Sequence, residues 1–249
     1  MTITFLGTNA WFDTETGNTP SILIDSETAY IVLDAGNGIY KLNRYIKDAT
    51  KPIYLFISHL HFDHITGLHL LNTFHFVQGI NLMVPEVLVP ALTTVFQPPY
   101  MAPPDTLNVK VTVVPTCEGE NKVPIQFSAF KMFHSSTNYG YRFTLENKVV
   151  AYSGDTGICD NELPLAHEAD VLIYECSNEP GHKQGPWGHM NPAEAATIAK
   201  NAGAKQLLLM HFAPNYYPNL EARVEAEKVA REIFPNTKAM VDDDQILLS

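Results

Sequence analysis

Ser58, His59, Leu60, His61, Phe62, Asp63 and His64 follow directly on an uncharged apolar run, Ile-Tyr-Leu-Phe-Ile, at 53–57. The run reads as a buried strand, so the chain must build a sheet that covers it. Where that strand ends, three imidazoles and one carboxylate within six positions offer several ligands for a first-row metal on a single turn. A polar loop with chance histidines is the plainer alternative, but His and Asp at this density seldom follow a buried strand without chemistry to perform.

With 249 residues, 45% hydrophobic and 17% charged, the chain can bury one large core or two small ones. It shows no repeat and no composition break, so one domain over 1–249 is expected. The alternating start at 1–7 lacks a basic segment and a long apolar stretch, and no later run approaches membrane-spanning length. These features predict a cytoplasmic protein that does not engage a membrane. Cys117, Cys159 and Cys176 are odd in number and widely spaced, which suggests neither a disulfide framework nor a thiolate zinc site. The formal net charge of −11 argues against nucleic acid as a partner, because phosphate contacts need clustered Lys and Arg.

Apolar runs at 22–25, 29–33, 53–57, 107–114 and 123–130 read as strands, and 139–145 with 148–152 as a hairpin around Glu146 and Asn147. Helical spacing is expected at 38–47, 64–72, 86–96, 192–202 and 219–233, the fourth with Asn191 as cap and Pro192 in its first turn. The runs at 170–175 and 206–211 are apolar and end on polar residues, as buried strands do when their C-terminal ends deliver a site. The pattern is mixed α/β. The Pro-rich piece at 97–104 is a surface connection or a lid.

Four further segments place a polar residue just past a strand: His134, Asp155 in Ser-Gly-Asp-Thr, His189 in Gly-His-Met-Asn-Pro, and His211 in Leu-Met-His-Phe. Singly, each is more often a satisfied structural residue or an ordinary turn. Together with the first cluster they form a constellation.

In order along the chain, these residues resemble the metallo-β-lactamase superfamily, whose His-x-His-x-Asp-His signature is matched by His59, His61, Asp63 and His64. The resemblance runs from Phe5, Leu6, Gly7 and Thr8, through Ser153, Gly154, Asp155 and Thr156, to Leu209, Met210, His211 and Phe212. His134 ahead of the 139–143 segment, and Gly188 with His189 before an Ala-rich helix, look like the branch containing RNase Z and small cyclic-phosphate phosphodiesterases. The fold this implies is an αββα sandwich of the α/β class, with two mixed sheets packed together and helices outside.

The resemblance also implies two divalent metal ions. His59, His61 and His134 would hold one, Asp63, His64 and His211 the other, and Asp155 would bridge them. A His-rich shell suits zinc, and mixed His/Asp ligands suit manganese too. Each incomplete shell leaves room for a hydroxide shared by both ions, so Asp63 serves catalysis through its metal. His189, not needed as a ligand in this scheme, would donate to a phosphoryl oxygen or protonate the leaving group, with a helix-capping role as the alternative.

Three departures bear on the substrate. RNase Z usually has glycine where Phe62 stands, which narrows the site; no segment has the size of its tRNA-gripping arm, 177–187 being short; and 9–20 holds no cysteine for the additional zinc site of some cyclic-phosphate relatives. Trp11, Phe12, Phe62, Trp187, Tyr216 and Tyr217 are candidates to ring the mouth for a flat group, with ordinary packing of loop aromatics as the alternative. Lys183, Arg142 and Lys131 are the nearest candidates for a phosphate clamp. The expected function is a binuclear phosphodiesterase acting on a small phosphodiester, such as a cyclic nucleotide or cyclic sugar phosphate, with a homodimer compatible. Alternatives are an RNase Z-like tRNA 3′-processing endonuclease, a lactone or thioester hydrolase, and a non-catalytic metal-bound ligand sensor.

Overall fold

The computed structural model describes residues 1–122, 124–183 and 185–248. Val123, Gln184 and Ser249 lie outside the described residues, and with Val123 the first position of the run at 123–130. The strands in chain order are β1 (Thr2–Gly7), β2 (Ser21–Asp25), β3 (Tyr30–Leu33), β4 (Ile53–Phe56), β5 (Ile80–Pro85) and β6 (Val111–Thr116). A second set follows: β7 (Gly119–Asn121), β8 (Phe127–Met132), β9 (Asn138–Leu145), β10 (Lys148–Tyr152), β11 (Val171–Glu175), β12 (Leu207–Met210) and β13 (Thr237–Ala239). The last, β14 (Gln245–Leu247), returns to pair with β1.

Two seven-stranded sheets result, ordered β14-β1-β2-β3-β4-β5-β6 and β13-β12-β11-β10-β9-β8-β7. Each is mixed: β14 to β3 and β7 to β10 are antiparallel, whereas β3 to β6 and β10 to β13 are parallel. Period-two alternation divides β4 between two cores. Tyr54 and Phe56 face the second sheet, and Ile53 and Leu55 face Leu68, Leu71 and Leu92 on the outside. Between the sheets, Phe56 meets Phe127, Tyr141 and Phe143 edge-on at ring-centroid distances of 4.8, 5.0 and 5.0 Å. Burial of each such ring contributes roughly 1.5–3 kcal/mol.

The α-helices are α1 (Phe62–Ile65), α2 (Val89–Val95), α3 (Glu162–Ala166), α4 (Pro192–Asn201) and α5 (Leu220–Ile233). At the start of α4 the Asn191 side chain accepts from the backbone of Ala193 and Glu194 at 2.9 and 3.0 Å, and Glu194 accepts from the Asn191 backbone at 2.9 Å. This reciprocal capping satisfies donors that a helix start otherwise leaves open. Ala195, Ala196 and Ala199 of α4 are buried with Ala226 and Ala230 of α5, small residues that let the helices lie close to the second sheet. The αββα sandwich expected from sequence is the fold observed.

Local expectations differ in several places, among them the strand at Ile80–Pro85, which was not expected. The segments expected as helices at 38–47 and 64–72 are 3-10 turns over Asn37–Arg44 and Thr66–Thr73, the latter preceded by the single turn of α1. Their first-turn amides, free in any helix, are taken up by neighbouring segments: Gly67 N–H donates to Ala35 O at 2.7 Å and Gly38 N–H to Thr19 O at 3.2 Å. A Cβ on Gly38 would stand 2.6 Å from the Gly7 nitrogen, so only glycine fits this approach to β1. Strand β5 lacks alternation because it pairs in parallel on both sides and is buried on both faces. No helix among the described residues is long and apolar enough to cross a membrane.

Candidate metal centre

The site residues come from strand ends on one rim of the sandwich. The stretch after β4 delivers His59, His61, Asp63 and His64; that after β8, His134; that after β10, Asp155; that after β12, His211. All seven, expected from different parts of the sequence, converge. One group, His59, His61, His134 and Asp155, and a second, Asp63, His64 and His211, each hold their donor atoms within 4.8 Å of one another.

Asp155 lies between the groups. Its Oδ2 stands 3.7 Å from His59 Nε2 and 3.8 Å from His134 Nε2. Its Oδ1 stands 3.3 Å from His64 Nε2 and 3.2 Å from His211 Nε2. Each carboxylate oxygen thus faces one group. Nitrogen also faces nitrogen, His134 Nε2 to His61 Nδ1 and His64 Nε2 to His211 Nε2, both at 3.1 Å. Such pairs of inward nitrogens suit a shared cation better than shared protons.

Three outward nitrogens have partners, whereas that of His211, Nδ1, is buried without one. His134 Nδ1 donates to Gly188 O at 3.1 Å, His64 Nδ1 donates to Asp34 Oδ2 at 2.8 Å, and His59 Nδ1 lies 3.0 Å from Ser58 Oγ. That orientation is how ligating imidazoles are held. His59 Nε2 is buried without a hydrogen-bond partner, and so is Asp155 Oδ1 despite the nearby imidazoles. A buried polar atom left this way costs about 1–3 kcal/mol, which a bound cation would offset. The donor set therefore fits divalent metal.

Electrostatics agree for His59, His61 and His134. Burial pushes His59 well below the ordinary imidazole value, with His64 beside it adding to the effect, and burial also lowers His61 and His134. These rings are held neutral, the ligand form. Burial opposes the charge on Asp63 and Asp155, yet the facing imidazoles outweigh it and lower both carboxyls. For His64 burial again opposes charge, but Asp155, Asp63 and Asp34 outweigh it and raise the imidazole.

His189 sits beside the groups, its ring centroid 5.1 Å from that of His134, and it also converges with Asp155 and His211. Its Nδ1 donates to Glu175 Oε1 at 2.8 Å, which leaves Nε2 free of that contact. Burial disfavours its charged form, but the Glu175 carboxylate, with Asp155 and Asp63, outweighs burial and lifts it to about 9. His69 and His75 are exposed and belong to neither group.

Two buried carboxylates were not singled out from sequence. Asp34 accepts from Ser58 N and Oγ at 2.7 Å, from His64 Nδ1 at 2.8 Å and from Tyr152 OH at 2.7 Å. Glu175 accepts from Thr156 N, Ser177 N and His189. Each closes an apolar run, Asp34 after 29–33 and Glu175 at the end of 170–175, so their signal was a carboxylate at a strand end. Trp11 N–H donates to Asp63 Oδ2 at 2.7 Å, a backbone contact that sequence cannot display. Asp34, Trp11 and His211 have φ of 59°, 66° and 59°, unfavourable for residues with a side chain and concentrated at this rim.

A cavity of about 750 Å³ opens over the site, lined by Trp11, Phe62, Trp187 and Tyr216 among others. Phe12 and Tyr217 are not on its wall; Tyr217 is buried and donates to Asn178 O at 2.7 Å. Lys183, Arg142 and Lys131 do not line it either, and Arg142 donates to Leu165 O at 2.9 Å.

A family model described as the beta-lactamase superfamily domain matches residues 29–212. Ribonuclease Z of Sulfurisphaera tokodaii is 22% identical over 94% of this chain and 95% of its own. The crystal structure of the metallo-beta-lactamase fold protein YhfI from Bacillus subtilis superposes with a TM-score of 0.83 at 22% identity, covering 99% of both chains. Human tRNase Z, short form, superposes with a TM-score of 0.78 at 24% identity, covering 100% of both.

Proposed function

The chain belongs to the metallo-β-lactamase superfamily, and on that premise we propose that it is a cytoplasmic, single-domain (1–249), binuclear metal-dependent phosphodiesterase for a small diester. His59, His61 and His134 would hold one ion, Asp63, His64 and His211 the other, with Asp155 between them. Zinc suits the imidazole-rich set, and manganese the mixed one. Bound there, two cations would polarise phosphoryl oxygens and bring the pKa of a water towards neutrality.

The chain's own groups do the rest. Asp34 fixes His64, the Trp11 amide fixes one oxygen of Asp63, and Glu175 keeps His189 protonated. Protonated His189 would give its Nε2 proton to a departing alkoxide, a contribution typically about 10²–10⁴-fold for a positioned general acid.

What carries the choice of a small diester is the lining of the cavity. Among the described residues it includes no Lys or Arg, and its volume of about 750 Å³ suits one small ligand. The net charge of −11 adds a repulsive field for any polyanion. Cyclic nucleotides and cyclic sugar phosphates meet these limits.

A second reading, tRNA 3′-processing, is favoured by the name of the Sulfurisphaera tokodaii relative and of the human structure. Metal-reconstituted protein assayed on bis-p-nitrophenyl phosphate, cyclic nucleotides, a precursor tRNA, a lactone and a thioester separates the readings. Faster cleavage of a small diester than of precursor tRNA, with a shallow salt dependence, supports the proposal. Precursor tRNA cut faster than every small diester establishes the second reading, and turnover confined to the lactone or thioester removes both.

A further inference from the structure

The chain has two tryptophans, and both stand on the wall of the site cavity. Trp11 and Trp187 are 68% and 63% exposed, and Phe62 beside them is 81% exposed. Large aromatic side chains left in water around a concave polar floor mark a surface that some ligand covers.

Their backbones are fixed although their rings are open. Trp11 is tied to Asp63 through its amide, and its loop is held by the buried guanidinium of Arg223 on α5. Arg223 Nη1 donates to Thr8 Oγ1 at 2.8 Å, and Nη2 donates to Asn9 Oδ1 and, at 3.2 Å, to Thr16 Oγ1. Trp187 O accepts from Ser135 N at 3.1 Å, and the Trp187 ring centroid lies 6.3 Å from that of His61. Phe62 opens α1, between His61 and Asp63. The aromatic wall is thus bonded to the same segments that carry the metal-competent residues.

Apart from the metal-competent residues and His189, the polar lining residues are Ser177, Asn178, His182 and Asn215. Amides and a hydroxyl suit the hydrogen-bonding edge of a heterocycle, and with no Lys or Arg among the described lining residues there is no clamp for a second phosphate. A sugar phosphate, lacking an aromatic ring, would leave these side chains wet.

We infer that Trp11, Phe62 and Trp187 form a stacking subsite for a flat heteroaromatic group, so that the diester this site takes carries one nucleobase-like ring next to one phosphate. The inference rests on the small-diester reading and narrows it, choosing base-bearing over sugar-only diesters.

Because Trp11 and Trp187 are the chain's tryptophans, binding is read directly by quenching of indole fluorescence in zinc-reconstituted protein, without turnover. Adenosine monophosphate is compared with ribose monophosphate, two ligands that present the same phosphate to the metal site. The expected result is about tenfold tighter binding of adenosine monophosphate, the scale of one base–aromatic stack. Trp187→Ala and Phe62→Ala should each shrink that preference severalfold, with calorimetry as a readout independent of tryptophan and circular dichroism unchanged. Equal affinity for the two ligands overturns the subsite, and so does a preference that survives in the Trp11→Ala/Trp187→Ala double variant. Diester hydrolysis measured on the same samples keeps the two ideas apart. Absent hydrolysis with the preference intact refutes the reaction and leaves the subsite standing, whereas hydrolysis without the preference refutes the subsite alone.

Discussion

His189 Nδ1 donates to Glu175 Oε1 at 2.8 Å, and Glu175 is held in turn by the backbone amides of Thr156 and Ser177. The carboxylate ending β11 thereby orients an imidazole that lines the cavity and favours its charged form. With Nδ1 engaged, Nε2 is the nitrogen left to face a substrate.

If His189 is a general acid, His189→Ala will slow diesters with basic alkoxide leaving groups by at least about a hundredfold while slowing p-nitrophenolate esters far less. Glu175→Gln should act in the same direction and more weakly, since a neutral partner still orients the ring. Steady-state kinetics across a leaving-group series decides it, and equal losses for good and poor leaving groups would remove the acid role.

Purified protein reconstituted with zinc or manganese should contain about two ions per chain, because two incomplete donor sets share Asp155. Asp63→Ala and His211→Ala should each release the second ion and lower turnover by about a hundredfold or more, with the fold retained. His69→Ala and His75→Ala serve as controls, both side chains being exposed and outside the donor groups. Metal quantification that finds one ion or fewer in folded protein refutes the binuclear reading.

Glu162 in α3 is 2% exposed, and burial lifts its carboxyl from 4.5 to about 7. A folded-state value above the unfolded one means that the stabilising contribution is fully present below pH 4.5 and is lost as pH rises through about 7. Glu162→Gln should therefore raise the urea midpoint at pH 8 and hardly change it near pH 4.5, by up to about 3 kcal/mol of unfolding free energy. A constant difference between the two proteins at every pH would show that Glu162 ionises normally.

Arg223 is buried, lies 4.8 Å from the Phe212 ring centroid, and ties α5 to the loop that carries Trp11. Arg223→Met would remove the donor to the Thr8 hydroxyl and one of two donors to the Asn9 side-chain oxygen, the Thr16 hydroxyl remaining at 3.1 Å, a loss on the order of 2 kcal/mol. Amide exchange at Trp11 should then accelerate more than exchange in β4. Uniform acceleration across the chain would mean that Arg223 supports global stability without a particular hold on this loop.

The two kinds of residue around the centre differ in how far sequence exposes them. His59, His61, Asp63 and His64 lie within six positions, so local spacing alone displays them, and the apolar runs at 170–175 and 206–211 announce β11 and β12. Period-two burial with polar strand ends is a local property, which is why the mixed α/β pattern and many of the strands could be read directly. The 3-10 turns at Asn37–Arg44 and Thr66–Thr73 could not, because helical spacing of apolar residues does not separate a 3-10 turn from an α-helix over so short a stretch. Glu175 and His189, fourteen positions apart, meet only because β11 and the turn before α4 end at the same rim. The Trp11 amide reaches Asp63 across a separation of 52 residues through a positive φ, and no side-chain pattern encodes a backbone donor. Sequence by itself fixed which groups the chain can offer, since ligand chemistry belongs to residue types. Tertiary structure decided which nitrogen points inward, which carboxylate charges which imidazole, and which aromatics stay in water, because burial and distance exist only once the two sheets have packed.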